Sequence, residues 1–173
     1  MKITRAWAMP SPHTFTIKPI RELLARYVGS GRNWIDPFAG ENSPAEITND
    51  LNPNKPTKYH MHALDFAKML TGVYDGCLFD PPYSLTQVKE CYQNIGCEDF
   101  MSQDASHFPY DIKRAISLKI KAGWVVISCG WNSCGFGKKL GFEIVEILLV
   151  CHGRTHNDTI VTVEKKIQTL FDQ

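Results

Sequence analysis

The sequence predicts an α/β fold: a mostly parallel sheet of seven strands covered by helices on both faces and closed by a β-hairpin. Three observations carry this. Short apolar runs alternate with stretches of helical spacing along the chain. The runs are apolar nearly throughout, not at every second residue, as in strands covered on both faces. The last two, Phe142 to Val150 and Thr159 to Val163, flank a turn rich in Gly, Asn and Asp, the mark of a hairpin that makes one strand antiparallel.

The elements follow in order. Ile20 to Val28 has helical spacing, with Pro19 suited to a helix start and Gly29 to a stop. Asn33 to Asp36 is a short strand running into the turn Pro37-Phe38-Ala39-Gly40. Glu46 to Asp50 is a second strand, closed by Asn52-Pro53-Asn54, and Lys58 to Met61 a third. Asp65 to Leu70 reads as a short helix, and Gly76 to Asp80 as a fourth strand ended by Pro81-Pro82. Ile112 to Ala122 is helical by spacing, and Trp124 to Cys129 is a continuous apolar strand. Residues 84–109 are polar, acidic and weakly periodic, and so read as a functional loop. No repeat or linker divides the chain, so residues 1–173 read as one domain.

With 173 residues, 43% of them hydrophobic, the chain can build a core without disulfide or metal staples. Its six cysteines are too sparse for a disulfide scaffold and contain no CxxC pair; Cys77 and Cys129 read as small core residues. His60 and His62 alternate like metal ligands on one strand face, but no third ligand accompanies them, so no metal is expected. No apolar run approaches the ~18 residues of a membrane span, and Met1 to Arg5 begins no signal peptide. A reducing, cytoplasmic, membrane-free setting is the expectation. Net charge is +1, but residues 1–32 carry +5, residues 33–83 carry −4, residues 84–109 carry −3 and residues 110–173 carry +3. A polyanionic partner must therefore be held by local basic rims.

Four acids stand near strand ends, Asp36, Asp50, Asp65 and Asp80, spaced by 14, 15 and 15 residues. That spacing places them along the carboxyl edge of a doubly wound sheet, where ligands bind. A carboxylate ending the second strand can accept both ribose hydroxyls of a nucleoside-containing cofactor, and Asp50 stands there. Gly40 lets the backbone after Asp36 approach a ligand. The GxGxxG fingerprint of nicotinamide and flavin enzymes is absent.

Asp36-Pro37-Phe38-Ala39-Gly40 resembles the cofactor motif of S-adenosylmethionine-dependent amino-methyltransferases, and Asp80-Pro81-Pro82-Tyr83 resembles their catalytic motif. The segment from Trp7 to Pro10 and from Thr14 to Ile20 is similar to the opening of small phage-type adenine-specific DNA methyltransferases. The resemblance spans most of residues 7–83 and implies a Rossmann-like class I methyltransferase. The implied reaction moves a methyl group from S-adenosylmethionine to the exocyclic N6 amine of an adenine flipped out of DNA. The Asp80 carboxylate and Pro81 carbonyl would each accept one amine N–H, aiming the nitrogen lone pair at the methyl group. Pro82 would stiffen the turn, and Tyr83 would stack on the base.

The resemblance further implies that residues 1–31 close over the cofactor, with Phe15 against it. Asp36 would hold the amino end of its methionine moiety, along the turn Pro37, Phe38, Ala39 and Gly40. Asp50 would hold the ribose, Asp65 the adenine amine, and Phe66 would pack on the adenine ring. Asn42 stands where a second motif glycine is usual, a residue that tolerates left-handed backbone. Ser84, Gln87 and His107 are candidates to surround the base, and Lys138, Lys139 and Arg154 to meet phosphates. Trp7 reads as a packing anchor. About 26 residues separate Tyr83 from the next expected helix, too few for a separate target-recognition domain. RNA adenine-N6 or cytosine-N4 DNA methylation, and a catalytically silent cofactor- and DNA-binding subunit, are the alternatives. Target sequence, oligomeric state (a homodimer included) and a role in restriction protection or regulation stay open.

Overall fold

A computed structural model describes residues 1–96, 108–153 and 155–167, residue 108 by its backbone alone. Trp34 and Gly76 face each other on neighbouring parallel strands, and a Cβ at Gly76 would lie 2.6 Å from three atoms of the Trp34 ring. Only glycine lets that indole lie across the neighbouring strand, where it is 2% exposed.

Those strands belong to one sheet of β1 (Lys2–Trp7), β2 (Trp34–Asp36), β3 (Ile47–Thr48), β4 (Tyr74–Phe79), β5 (Ile120–Gly130), β6 (Phe142–Cys151) and β7 (Thr159–Lys166). Their order is β1-β6-β7-β5-β4-β2-β3, and β7 alone runs antiparallel to its neighbours. Helices α1 (Lys18–Tyr27), α2 (Ala63–Met69), α3 (Leu85–Gln93) and α4 (Phe108–Ser117), with the 3-10 turns Thr14–Thr16 and Lys138–Leu140, complete the described elements. Alternate residues of β2, β4 and β5 feed two cores. Trp34, Leu78, Ile127, Val161 and Val163 pack with α1, whereas Ile35, Cys77, Phe79 and Val126 pack with α2 and α4.

The expected seven strands and terminal hairpin are present, but the set of strands differs. β1 was absent from the sequence reading: Lys-Ile-Thr-Arg-Ala-Trp has no apolar run, because it is an edge strand exposed at most positions. Residues 58–61 form only the isolated bridge Asn49↔Tyr59. The helix expected through Ala122 stops at Ser117, and Ile120 already pairs with Tyr74 in β5. Helical spacing misleads here because Ile112, Ile116 and Ile120 are all buried, the last as a strand residue. Residues 84–96 are not loop: they hold α3, whose first turn is capped where the Ser84 hydroxyl accepts from Gln87 N at 3.2 Å. Trp7 is 66% exposed and is no packing anchor. Among the described residues no helix is long and apolar enough to cross a membrane, and no group of three metal-ligating side chains occurs.

Candidate active site

All parallel strands end at one edge, and there a buried amide fastens the segments following β2 and β3 to each other. Asn49, fully buried after β3, donates through Nδ2 to Pro37 O at 3.1 Å and to Met61 O at 3.0 Å, and its Oδ1 accepts from Met61 N at 3.1 Å. The backbone adds Ala39 N to Asn49 O at 2.9 Å and Asn49 N to Asp36 O at 2.8 Å. Asn49 thus ties the turn after β2 to the segment between β3 and α2, a role sequence reasoning missed because a polar residue beside Asp50 reads as turn chemistry.

Between these loops, the N-terminal segment and α3 lies a cavity of about 440 Å³, large enough for a nucleoside-sized ligand. Pro37, Phe38, Ala39 and Gly40 line it, as do Asp50, Phe15, and Asp80 through Tyr83. So do Met61, His62, Ala63, and Gln87, Val88, Cys91 and Tyr92 of α3. Gly40 sits at φ 55°, where its N donates to Asp50 Oδ2 at 3.0 Å, and the space beside its Cα toward a Cβ is open. Asp50 Oδ1 accepts from Asn52 N at 2.8 Å. Each carboxylate oxygen keeps a further lone pair for a ligand. Asn42 is not left-handed; among the described non-glycine residues only Asn33 is, at φ 59°.

Asp36 does not reach the cavity. It is fully enclosed, its Oδ1 accepting from Phe38 N at 2.9 Å and its Oδ2 from the Ser43 hydroxyl at 2.6 Å. Burial lifts its carboxyl from the ordinary 3.8 to about 7, partly opposed by Ser43 and the Phe38 N–H and reinforced by the charges of Asp80 and Asp50. The expected contact with a ligand's amino group is therefore replaced by a role in shaping the turn.

Asp80 ends β4 and accepts a short hydrogen bond from the Tyr83 hydroxyl. Thr14, another residue the sequence did not single out, also bonds its carboxylate, joining the N-terminal segment to the motif. Burial raises the Asp80 carboxyl, and these two bonds hold the rise back. Burial first, then the Asp80 charge, pushes the Tyr83 hydroxyl far up. Tyr83 N donates to Gln87 Oε1 at 2.6 Å, and its ring meets Trp131 edge-on at 5.7 Å between centroids. Tyr83 thus turns inward onto Asp80, and its outer neighbour is Trp131.

Other expected site residues lie elsewhere. α2 begins at Ala63, so Asp65 falls in its exposed first turn and Phe66 is fully buried against Tyr59 at 5.7 Å; neither lines the cavity. Ser84 caps α3 and does not line the cavity. Lys138 and Lys139 lie in a 3-10 turn directly before β6, hence at the opposite, amino end of the parallel strands. His107 and Arg154 lie outside the described residues.

No model of a known family and no curated protein matches the sequence. Solved structures do. TrmN from Thermus thermophilus aligns with a TM-score of 0.58 at 14% identity over 87% of this chain and 49% of that one, so this chain spans about half its length. NSun6 from Pyrococcus horikoshii with SFG aligns with a TM-score of 0.54 at 11% identity, over 80% of this chain and 49% of that one. The N-methyltransferase NodS from Bradyrhizobium japonicum WM9 aligns with a TM-score of 0.50 at 10% identity, over 87% of this chain and 96% of that one. These likenesses are likenesses of fold: the sheet and its flanking helices form a Rossmann-like α/β fold of the methyltransferase kind.

Proposed function

We propose that the chain is an S-adenosylmethionine-dependent amino-methyltransferase acting on the exocyclic N6 amine of adenine in DNA. One observation carries this reading: the Asp80-Pro81-Pro82-Tyr83 turn and the Pro37–Gly40 turn with Asp50 open into the same cavity. An acceptor amine and a methyl donor bound there would lie side by side. The fold shared with an N-methyltransferase supports it, and so does the resemblance of both motifs. The cavity fits the cofactor by size and charge, since a sulfonium and an ammonium suit a wall carrying Asp50 and Asp80.

The cofactor, when bound, supplies a methyl group already activated on sulfonium, so the protein's work is positioning. Asp50 offers its free lone pairs to ribose hydroxyls. Phe15 and Phe38 wall the cavity and exclude water. The Tyr83 hydroxyl holds Asp80 in the free chain, and the acceptor amine must take its place. Asp80 and the Pro81 carbonyl would then accept the two amine N–H bonds and aim the nitrogen lone pair at the methyl group the cofactor would supply, and the methylated nitrogen would lose one proton to water. The ionised Asp80 is required as acceptor, so its raised carboxyl makes activity fall as pH is lowered.

The test is incubation with tritium-labelled cofactor and either DNA or RNA, followed by digestion to nucleosides. Label in N6-methyldeoxyadenosine is expected. Label confined to RNA, or to a cytosine product, would replace the adenine-DNA assignment, and no transfer despite cofactor binding would favour a silent binding subunit.

A further inference from the structure

Trp131 directly follows β5, the strand beside β4, so it stands at the same sheet edge as Asp80. Its indole is 42% exposed, and its buried side is the edge-on contact with Tyr83 at 66° between planes. The following residues, Asn132 and Ser133, are exposed as well. A scattered exposed aromatic needs no explanation. This one touches Tyr83, a residue of the cavity wall, although Trp131 does not itself line the cavity. A flat, apolar, weakly polar-edged surface there suits a flat aromatic acceptor and offers little to an aliphatic amide.

We propose that Trp131 forms the outer aromatic wall of the acceptor site, stacking on the ring that bears the acceptor amine and so selecting aromatic amines. This rests on the reading of Asp80 as the amine's partner. Tyr83, released from Asp80 by the incoming amine, keeps Trp131 as its neighbour, so the two rings bracket the acceptor from adjoining sides.

Steady-state kinetics on an adenine-containing DNA duplex test this, with W131L keeping apolar bulk without a ring and W131F keeping a ring. The expected result is a KM for DNA raised about 5- to 100-fold in W131L, the range of a lost base–aromatic stack. Its kcat should be little changed and its cofactor affinity by calorimetry unaltered, and W131F should recover most of the loss. An unchanged KM in W131L, a W131F as defective as W131L, or a loss confined to kcat would overturn the assignment. If the wild-type chain binds cofactor but methylates no nucleic acid, the acceptor reading fails and takes this proposal with it. If the wild type is active and only the variants disagree, Trp131 alone is wrongly placed.

Discussion

Asp80, Asp50 and Asp36 are three carboxylates around one edge, and their surroundings give them three different tasks. Asp80 lines the cavity and, on the proposed function, meets the acceptor amine, so Asp80→Ala should abolish transfer, with a rate loss of ~10²–10³ or more, while cofactor affinity stays within a few-fold. Single-turnover assays paired with calorimetric titration check this. Asp50 faces the cavity with lone pairs to spare, so Asp50→Ala should weaken cofactor binding by ~2–3 kcal/mol, with turnover recovered at saturating cofactor. Asp36 is enclosed and carries a raised carboxyl near 7. The folded state therefore favours the protonated form: the favourable contribution is complete below the unfolded value of 3.8 and is lost as pH rises toward about 7. Asp36→Asn can keep the bond from Phe38 N and donate to Ser43. Thermal melts across that window should show a smaller decline of stability with pH in D36N than in wild type.

At the scale of elements, Asn49 ties the turn after β2 to the segment between β3 and α2, and so shapes one side of the cavity. Its side chain makes three hydrogen bonds, so Asn49→Ala should cost about 3 kcal/mol, at ~1 kcal/mol per bond, and leave buried partners unpaired. Chemical denaturation measures the loss, and cofactor affinity should fall with it. The two motif turns were legible in sequence because Pro and Gly after an apolar strand have few other uses. What holds the first of them to the segment before α2 was not: a lone buried amide leaves no periodic signal. Likewise Asp65 satisfies the strand-to-strand spacing, yet the chain breaks into α2 two residues earlier and turns it to solvent. β1 escaped notice because a polar edge strand gains its structure from backbone pairing with β6, not from burying a face. Of the loop expected over residues 84–109, the first part instead supplies α3, one wall of the cavity, and residues 97–107 lie outside the described residues.

Across the whole molecule, charge is segregated and the site edge is acidic, so phosphate contact must come from a basic neighbour. Lys138 and Lys139 stand at the far edge of the sheet, which shifts that role to the basic N-terminal segment. Lys18 and Arg21 are exposed in the opening turns of α1, directly after Phe15 at the cavity. The double variant Lys18→Glu with Arg21→Glu should raise the KM for DNA and flatten its salt dependence, leaving cofactor affinity unaltered. With so few basic contacts, the chain should read a short or relaxed target, and its DNA affinity should fall only modestly with salt. Methylation mapping on random duplexes across a salt series checks this, and a stringent six-base-pair preference from a proven monomer would contradict it.

The most direct test of the central claim is nucleoside mass analysis of DNA incubated with S-adenosylmethionine and either the wild-type chain or Asp80→Ala, both shown by calorimetry to bind the cofactor. N6-methyldeoxyadenosine formed by the wild type and absent with D80A is the expected result. Equal product from both proteins, or none from either, would contradict the placing of the acceptor amine at Asp80.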